Sequence, residues 1–165
     1  MDWFCLYAKK NMKKINIKNF KKTLSKFATG ITVICVIKDE KIFGKTINSF
    51  SSLSLDPPLI LFSISNKSSN FRTYFGSKFL SINILSNKQK NLSNHFSKNN
   101  PSSSKVDFIK GKNNISLINK CLANLECKLI DKIKKGDHTI FICKVLNVKY
   151  NDNLKPLYYY NSKYY

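Results

Sequence analysis

The sequence is poor in the residues that usually carry acid–base catalysis. Its 165 residues include two histidines, nine Asp+Glu scattered without a paired arrangement, and one arginine, Arg72. Neither a Ser-His-Asp nor a Cys-His constellation has a motif behind it. Five glycines and four prolines, beside 13% aromatics, exclude collagen-like and wholly disordered chains. No apolar run approaches the ~18 residues of a membrane-spanning helix. Leu59–Phe62 is typical of the short stretches present, and a soluble, cytoplasmic protein with no membrane partner is expected. A G-x-G-x-x-G or Walker-type loop is missing, so a nucleotide would have to be held some other way. The cysteines, Cys5, Cys35, Cys121, Cys127 and Cys143, are odd in number and lack a C-x-x-C pair. They suggest neither a zinc site nor a disulfide framework but a reducing compartment, with Cys35 and Cys143 as small buried hydrophobes.

What the chain has in abundance is lysine. Lys+Arg number 29 and the formal charge is +20. Such a charge ordinarily raises nucleic acid or an anionic surface as partner. Here the lysines are spread along the whole chain among many Asn and Ile, the pattern of a compositional bias rather than a recruited patch, and base-reading arginine clusters are absent. No nucleic-acid partner is expected. Met1 to Asn11 are too weakly apolar for a secretory signal. Met12 opens a lysine-rich segment that leads into the first helix, so translation could start there. Residues 1–16 are expected to be a flexible extension, with 1–11 dispensable, and residues 17–165 one domain.

Ile17, Phe20, Leu24 and Phe27 recur at helical spacing, predicting a short amphipathic helix over Ile17–Ala28 that Gly30 stops. Ile31–Ile37 and Ile42–Thr46 read as a hairpin around Asp39-Glu40-Lys41. A polar loop, Ser49–Asp56, leads to Pro57-Pro58 and a buried strand at Leu59–Ile64. Ser68 or Ser69 is expected to cap a helix through Phe71, Tyr74 and Phe75. Phe79–Leu85 predicts a strand, Lys88–Phe96 a helix, and Ser97–Asn114 a long polar excursion. Ala123–Ile133 and His138–Val148 predict two long strands around a Gly136-Asp137 turn, before a tyrosine-rich tail. Six or so strands, three short helices and no βαβ alternation predict a mainly β fold, an antiparallel β-barrel with short helices.

Three stretches could carry chemistry. His138 stands just past the Gly136-Asp137 turn at the mouth of a strand, where an imidazole can face a cleft; the same place suits a histidine that merely caps the turn. Thr46 to Ser54 offers hydroxyls, an amide and backbone donors to a polar planar ligand or a phosphate, or is simply a Ser-rich connection. Asn66-Lys67-Ser68-Ser69-Asn70 combines hydroxyls with a lysine charge before a helix, an anion site or plain capping. His95, beside Phe96, reads as ordinary.

In this order and spacing the three stretches resemble the flavin reductase family with the FMN-binding split-barrel fold, small reductases that supply reduced flavin to two-component monooxygenases. The resemblance runs from about Phe20 to Tyr164. It is carried by Phe27-Ala28-Thr29-Gly30-Ile31-Thr32-Val33, by Gly44-x-Thr46-x-Asn48-Ser49-Phe50-x-Ser52-Leu53-Ser54-Leu55-Asp56-Pro57-Pro58-Leu59, and by Lys67-Ser68-Ser69. Phe79-x-x-Ile82-Asn83-Ile84-Leu85, Gln89-x-x-Leu92-Ser93, Leu125-Glu126-Cys127 and Gly136-Asp137-His138 complete it.

The resemblance implies a homodimer of split Greek-key barrels with flavin, FMN or FAD, near the subunit interface. Thr46, Ile47, Asn48, Ser49, Phe50 and Ser52 would hold its ring and ribityl chain. Lys67, Ser68 and Ser69 would hold its phosphate. His138, with Gly136 and Asp137, would lie where the nicotinamide of NADH or NADPH docks, as the catalytic residue, and a monooxygenase would receive the product. No metal is implied. Three departures stand out: Asn70 where relatives have threonine, Asn161 where they have arginine, and a shorter, more polar Lys98–Ser116. Two further readings compete: a flavin-retaining electron carrier of the same fold, and a basic barrel that binds nucleic acid.

Overall fold

The computed structural model describes residues 15–165, so the expectations for residues 1–14, Cys5 among them, lie outside the described residues. Helix α1 (Ile17–Leu24) is capped by Asn16, whose side chain accepts from the backbone N–H of Lys18 and Asn19. It ends four residues before Ala28, and none of its side chains is buried.

A seven-stranded antiparallel sheet forms the body. Its order is β3-β2-β6-β9-β10-β5-β4, with β2 Thr32–Lys38, β3 Lys41–Ile47, β4 Ser51–Ser54, β5 Leu59–Ser65, β6 Phe79–Ile84, β9 Ala123–Lys135 and β10 His138–Tyr150. The β2–β3 hairpin turns at Asp39 and Glu40, both at positive φ. Ser51–Ser54, expected as loop, pairs with Leu59–Leu61; a run of serines carries little β signal, and the pairing is imposed by its neighbour.

β2 lacks alternation because both its faces are covered. Ile34 and Val36 join Phe62, Ile82 and Phe141 inside the barrel, while Ile31, Val33 and Cys35 meet Leu85, Phe96, Ile118 and Leu157 outside it. Burying such side chains contributes roughly 1.5–3 kcal/mol each before entropy is counted. The outer layer comes from helix α3 (Lys90–Ser97), which follows a 3-10 turn at Asn87–Gln89, and from the excursion. The excursion is not all irregular, since Phe108–Lys110 (β7) pairs with Ser116–Ile118 (β8). The tail closes the layer: Tyr158–Tyr160 (β11) pairs with Thr29–Gly30 (β1) and with Lys163–Tyr164 (β12).

Two features fix these layers. Buried Asn83 donates to the Val33 carbonyl (2.9 Å) and accepts from the Ile118 N–H (2.9 Å) and the Asn124 side chain (2.8 Å), tying β2, β6, β8 and β9 together. Gly44 lies flat under Phe96; an added Cβ would stand 2.3 Å from the ring. Helix α2 (Phe71–Gly76) corrects the capping expectation: neither Ser68 nor Ser69 caps it, because Asn70 occupies that place in the left-handed region and makes no side-chain cap bond.

Candidate functional site

The barrel is open along a seam between the ends of β3 and β5. There a cleft of about 340 Å³ is lined by Thr46–Ser49, Ser63–Ser65, Lys67, Ser68 and His138, with Lys45 at its edge. Beyond Leu61, β5 has lost its partner β4, and the freed backbone must bond elsewhere. Ser49 does this: its hydroxyl donates to the Ser63 carbonyl and accepts from the Ser63 N–H, both at 3.0 Å.

The other wall is built from strand register. His138 opens β10 opposite Ser65. The Asn66 N–H donates to the Asp137 carbonyl (2.9 Å), and the Thr139 hydroxyl donates to the Asn66 side-chain oxygen (2.7 Å). The Gly136-Asp137 turn, with Gly136 at φ +57°, is thereby locked to the loop that carries Lys67 and Ser68. His138 Nδ1 donates to the Asp137 carboxylate at 2.7 Å. With Nδ1 as the donor, Nε2 faces away from Asp137 and accepts a hydrogen bond when the ring is neutral or donates one when it is protonated. The hydrogen bond and charge of His138 hold the exposed Asp137 carboxyl below its ordinary range, and Lys67 adds a smaller pull in the same direction.

Of the residues singled out in the sequence, Thr46, Ile47, Asn48, Ser49, Lys67, Ser68 and His138 converge on the cleft. Phe50 packs against the barrel interior instead. Ser52 sits exposed on β4, and Ser69, Gly136 and Asp137 stand outside the lining. The hydroxyls of Thr46 and Ser49 are occupied, Thr46 donating to the Ser93 carbonyl at 2.7 Å, so these positions offer a ligand chiefly backbone groups. Ser68 is the opposite case: its Oγ is buried without any hydrogen-bond partner among the described residues. A buried hydroxyl without a partner costs ~1–3 kcal/mol, a cost that a bound acceptor would relieve.

The tyrosine tail also belongs here, although its sequence gave no such sign. A side recess of about 180 Å³ shares Thr46, Ile47 and Asn48 with the cleft and is closed by Ile31, Tyr159 and Tyr164. The Tyr164 hydroxyl accepts from Ser93 Oγ at 3.0 Å, which links the tail to Thr46 through Ser93. Thr29, paired with Tyr159, has a second buried hydroxyl without a partner among the described residues. Only the register of the terminal hairpin brings these residues to β3.

Among the described residues no lysine or arginine forms an ion pair with a carboxylate, and no cluster of three or more His, Cys, Asp or Glu could hold a metal ion. The cleft is therefore a positively biased slot, rich in backbone and hydroxyl groups, with one imidazole at its mouth. It can bind and orient an anionic, planar, polar molecule, and beyond that imidazole and the two lysines it offers no acid or base among the described residues.

Comparison with known proteins agrees. A family profile described as "Flavin reductase like domain" matches residues 24–165. The chain is 34% identical over 137 residues to "FMN reductase (NADH) SmoA" of Agrobacterium fabrum, covering 83% of this chain and 79% of that protein. It is 35% identical over 153 residues to the reductase component of a flavin-dependent trigonelline monooxygenase of Acinetobacter baylyi, covering 90% of this chain but 48% of that one, about half its length. The solved structure of flavin reductase PheA2 in its native state superposes with a TM-score of 0.84 at 34% identity, covering 92% of this chain and 97% of the other.

Proposed function

This chain belongs to the flavin reductase-like family, and from that premise we propose that it is an NAD(P)H-dependent flavin reductase whose residues 17–165 form the flavin-binding domain. The observation that carries the reading is the seam cleft, which Lys67, Ser68, Thr46–Ser49 and His138 line together, with the Ser68 hydroxyl buried at its wall and without a partner among the described residues.

Flavin, FMN or FAD, supplies the redox chemistry when bound, taking up a hydride from NADH or NADPH. The protein's part is placement. Lys67 and Ser68 would hold the phosphate, the lysine by charge and Ser68 by the hydrogen bond its hydroxyl lacks. The chain from Thr46 to Ser52 would present backbone donors to the ring, groups fixed in advance by the Ser49–Ser63 and Thr46–Ser93 bonds. Preorganised donors of this kind stabilise charge as it develops, without reorganising. His138, held by Asp137, would offer Nε2 to the nicotinamide carboxamide and fix its approach. Proton transfer by protein side chains is not required, consistent with the scarcity of acids.

A homodimer completes the proposal. Its support is the apolar face of α1, where Ile17, Phe20 and Leu24, continued by Phe27 at 77% exposure, are all exposed. The relative named as a monooxygenase reductase component supports transfer of reduced flavin to an oxygenase partner. We place the protein in the cytoplasm on its free, buried thiols.

The test is an anaerobic absorbance assay in which the protein meets each pairing of FMN or FAD with NADH or NADPH. Loss of the oxidised-flavin band far above the protein-free rate is expected, and the four rates rank both preferences. Folded protein that binds flavin but bleaches none of the four mixtures would leave the electron-carrier reading in its place.

A further inference from the structure

One wall of the cleft has space on both of its sides. Thr46, Ile47 and Asn48 line the cleft and also the recess of about 180 Å³ behind it. A segment flanked by free volume on both sides is held less by packing than by its hydrogen bonds. The opposite wall has no such need, because Ser63, Ser65 and His138 belong to the paired strands β5 and β10. The alternation of β3 shows what holds the first wall. Gly44 and Thr46 share the strand face turned toward α3; Gly44 receives the Phe96 ring, and Thr46 donates its hydroxyl to the Ser93 carbonyl at 2.7 Å.

Ser93 is fully buried and passes the connection on, its own hydroxyl donating to the Tyr164 hydroxyl oxygen at 3.0 Å. Tyr164 is itself held. Its backbone lies in β12, paired with β11, and its ring meets the Tyr159 ring edge-on at 5.1 Å and lies 5.9 Å from Lys90 Nζ on α3. The turn between β11 and β12 is anchored as well. Asn161 donates its backbone N–H to the Ser25 carbonyl (2.8 Å), and its side-chain oxygen accepts from Lys26 Nζ (3.0 Å). The tail is thus a fixed body, joined to the cleft wall by the Tyr164–Ser93 and Ser93–Thr46 bonds in series.

We infer that Tyr164 is a positioning residue for hydride transfer: through Ser93 and Thr46 it keeps the Thr46–Asn48 wall from moving back into the recess. The inference rests on the flavin reductase reading, in which that wall faces the flavin ring. In that reaction a hydride leaves the reduced nicotinamide, which is oxidised, and joins the flavin, which is reduced. Such a step depends steeply on the separation of the two rings, and a misplacement of ~1 Å can cost ~100-fold in rate. The phosphate end of the cleft, at Lys67 and Ser68, does not move with β3. A shift of the wall therefore lowers the rate and leaves most of the flavin affinity in place.

Tyr164→Phe keeps the ring and removes the acceptor of the Ser93 proton. Alone it leaves a buried hydroxyl unpaired, which lowers stability whatever the role of Tyr164. Ser93→Ala combined with Tyr164→Phe removes both partners and is expected to restore the melting temperature, while the residue 93 carbonyl still accepts from Thr46. Reduction of bound FMN is followed by stopped-flow absorbance at saturating NADH or NADPH, whichever reduces the wild-type protein faster, and FMN affinity by fluorescence quenching. Each single variant and the double variant should slow reduction about tenfold and change FMN affinity by less than about twofold. Thr46→Val, which breaks the series at its other end, should slow reduction equally and add nothing to the double variant; additive losses overturn the connection. A slowing that follows the melting temperature and disappears in the double variant overturns the inference and leaves Tyr164 a structural residue. So does a loss of FMN affinity as large as the loss of rate, the mark of a binding contact. Wild-type protein that binds FMN but is reduced by neither donor would instead overturn the reductase reading.

Discussion

Ser49 and Ser63 close the barrel where its strands do not. One hydroxyl satisfies both the carbonyl and the N–H of a residue on a strand that has run past its neighbour, with 3.0 Å to each. The bond also sets the distance between the two walls of the cleft, so the seam and the site share a single fastening.

Replacing Ser49 with alanine leaves two backbone groups of Ser63 unpaired beside the core. The expected loss is ~1–3 kcal/mol of stability, seen as a lower urea midpoint with unchanged slope. Ser49→Thr, which keeps the hydroxyl, should recover most of it.

Ser68 should behave in the opposite way. Its buried hydroxyl has no partner among the described residues, so Ser68→Ala is expected to leave the urea midpoint unchanged or slightly raised, yet to weaken flavin binding by about tenfold. His138→Ala should lower turnover with the nicotinamide and leave flavin affinity nearly intact. Equal effects of the two variants on both readouts would break the division of roles.

Gly44→Ala places a methyl group 2.3 Å from the fully buried Phe96 ring. Overpacking of this kind costs ~1–3 kcal/mol or more, because α3 has to move away from β3. Thermal melting of Gly44→Ala and of Gly44→Ala with Phe96→Leu provides the check, the smaller side chain restoring part of the loss.

The thiols make the fold sensitive to alkali. Burial raises all four described cysteines, Cys121 and Cys127 to about 12 and Cys35 and Cys143 further. An unfolded chain ionises them near pH ~8.5. Between those values the folded protein holds the extra protons, so the stability contribution is full below about pH 8.5 and is lost as pH rises toward 12, at ~1.4 kcal/mol per thiol per pH unit. Melting temperatures across pH 7–10.5 should fall above pH ~9, and less steeply for Cys121→Ala with Cys127→Ala.

The unpaired positive charge should appear in kinetics. Flavin phosphates and nicotinamide dinucleotides are anions approaching a chain of formal charge +20, which steers encounter. kcat/KM is expected to fall severalfold between about 20 and 300 mM salt, with kcat little changed. A flat profile would mean that local contacts alone govern capture.

Much of this was legible in the residues, wherever local pattern and tertiary role coincide. The long strands after Ala123 and His138, the Gly136 turn and the buried run through Val33–Val36 announce themselves by alternation, turn chemistry or continuous burial. The family motifs mark Thr46–Ser49, Lys67, Ser68 and His138, which line the cleft, and equally Phe50, Ser52, Ser69, Gly136 and Asp137, which do not. What stayed hidden depends on partners distant in sequence. Ser51–Ser54 becomes a strand because β5 offers it an edge, and Tyr159 and Tyr164 reach β3 only through the register of the terminal hairpin. Which serine is a fastening and which is unpartnered cannot be read from a hydroxyl's position in a chain; Ser49 and Ser68 look alike until Ser63 is placed.

The sheet order carries one further consequence. By strand pairing the β3-β2-β6 half and the β5-β4 half are joined through the β9–β10 ribbon, whose register shifts between Ile142 and Cys143 and again between Val145 and Asn147. Such irregularities add local twist. The aperture of the cleft thus depends on more than the local Ser49–Ser63 fastening: it also follows how far the ribbon rotates one half of the sheet against the other. Substitutions at these bulges could widen or narrow it for a bulkier ligand without altering a lining residue.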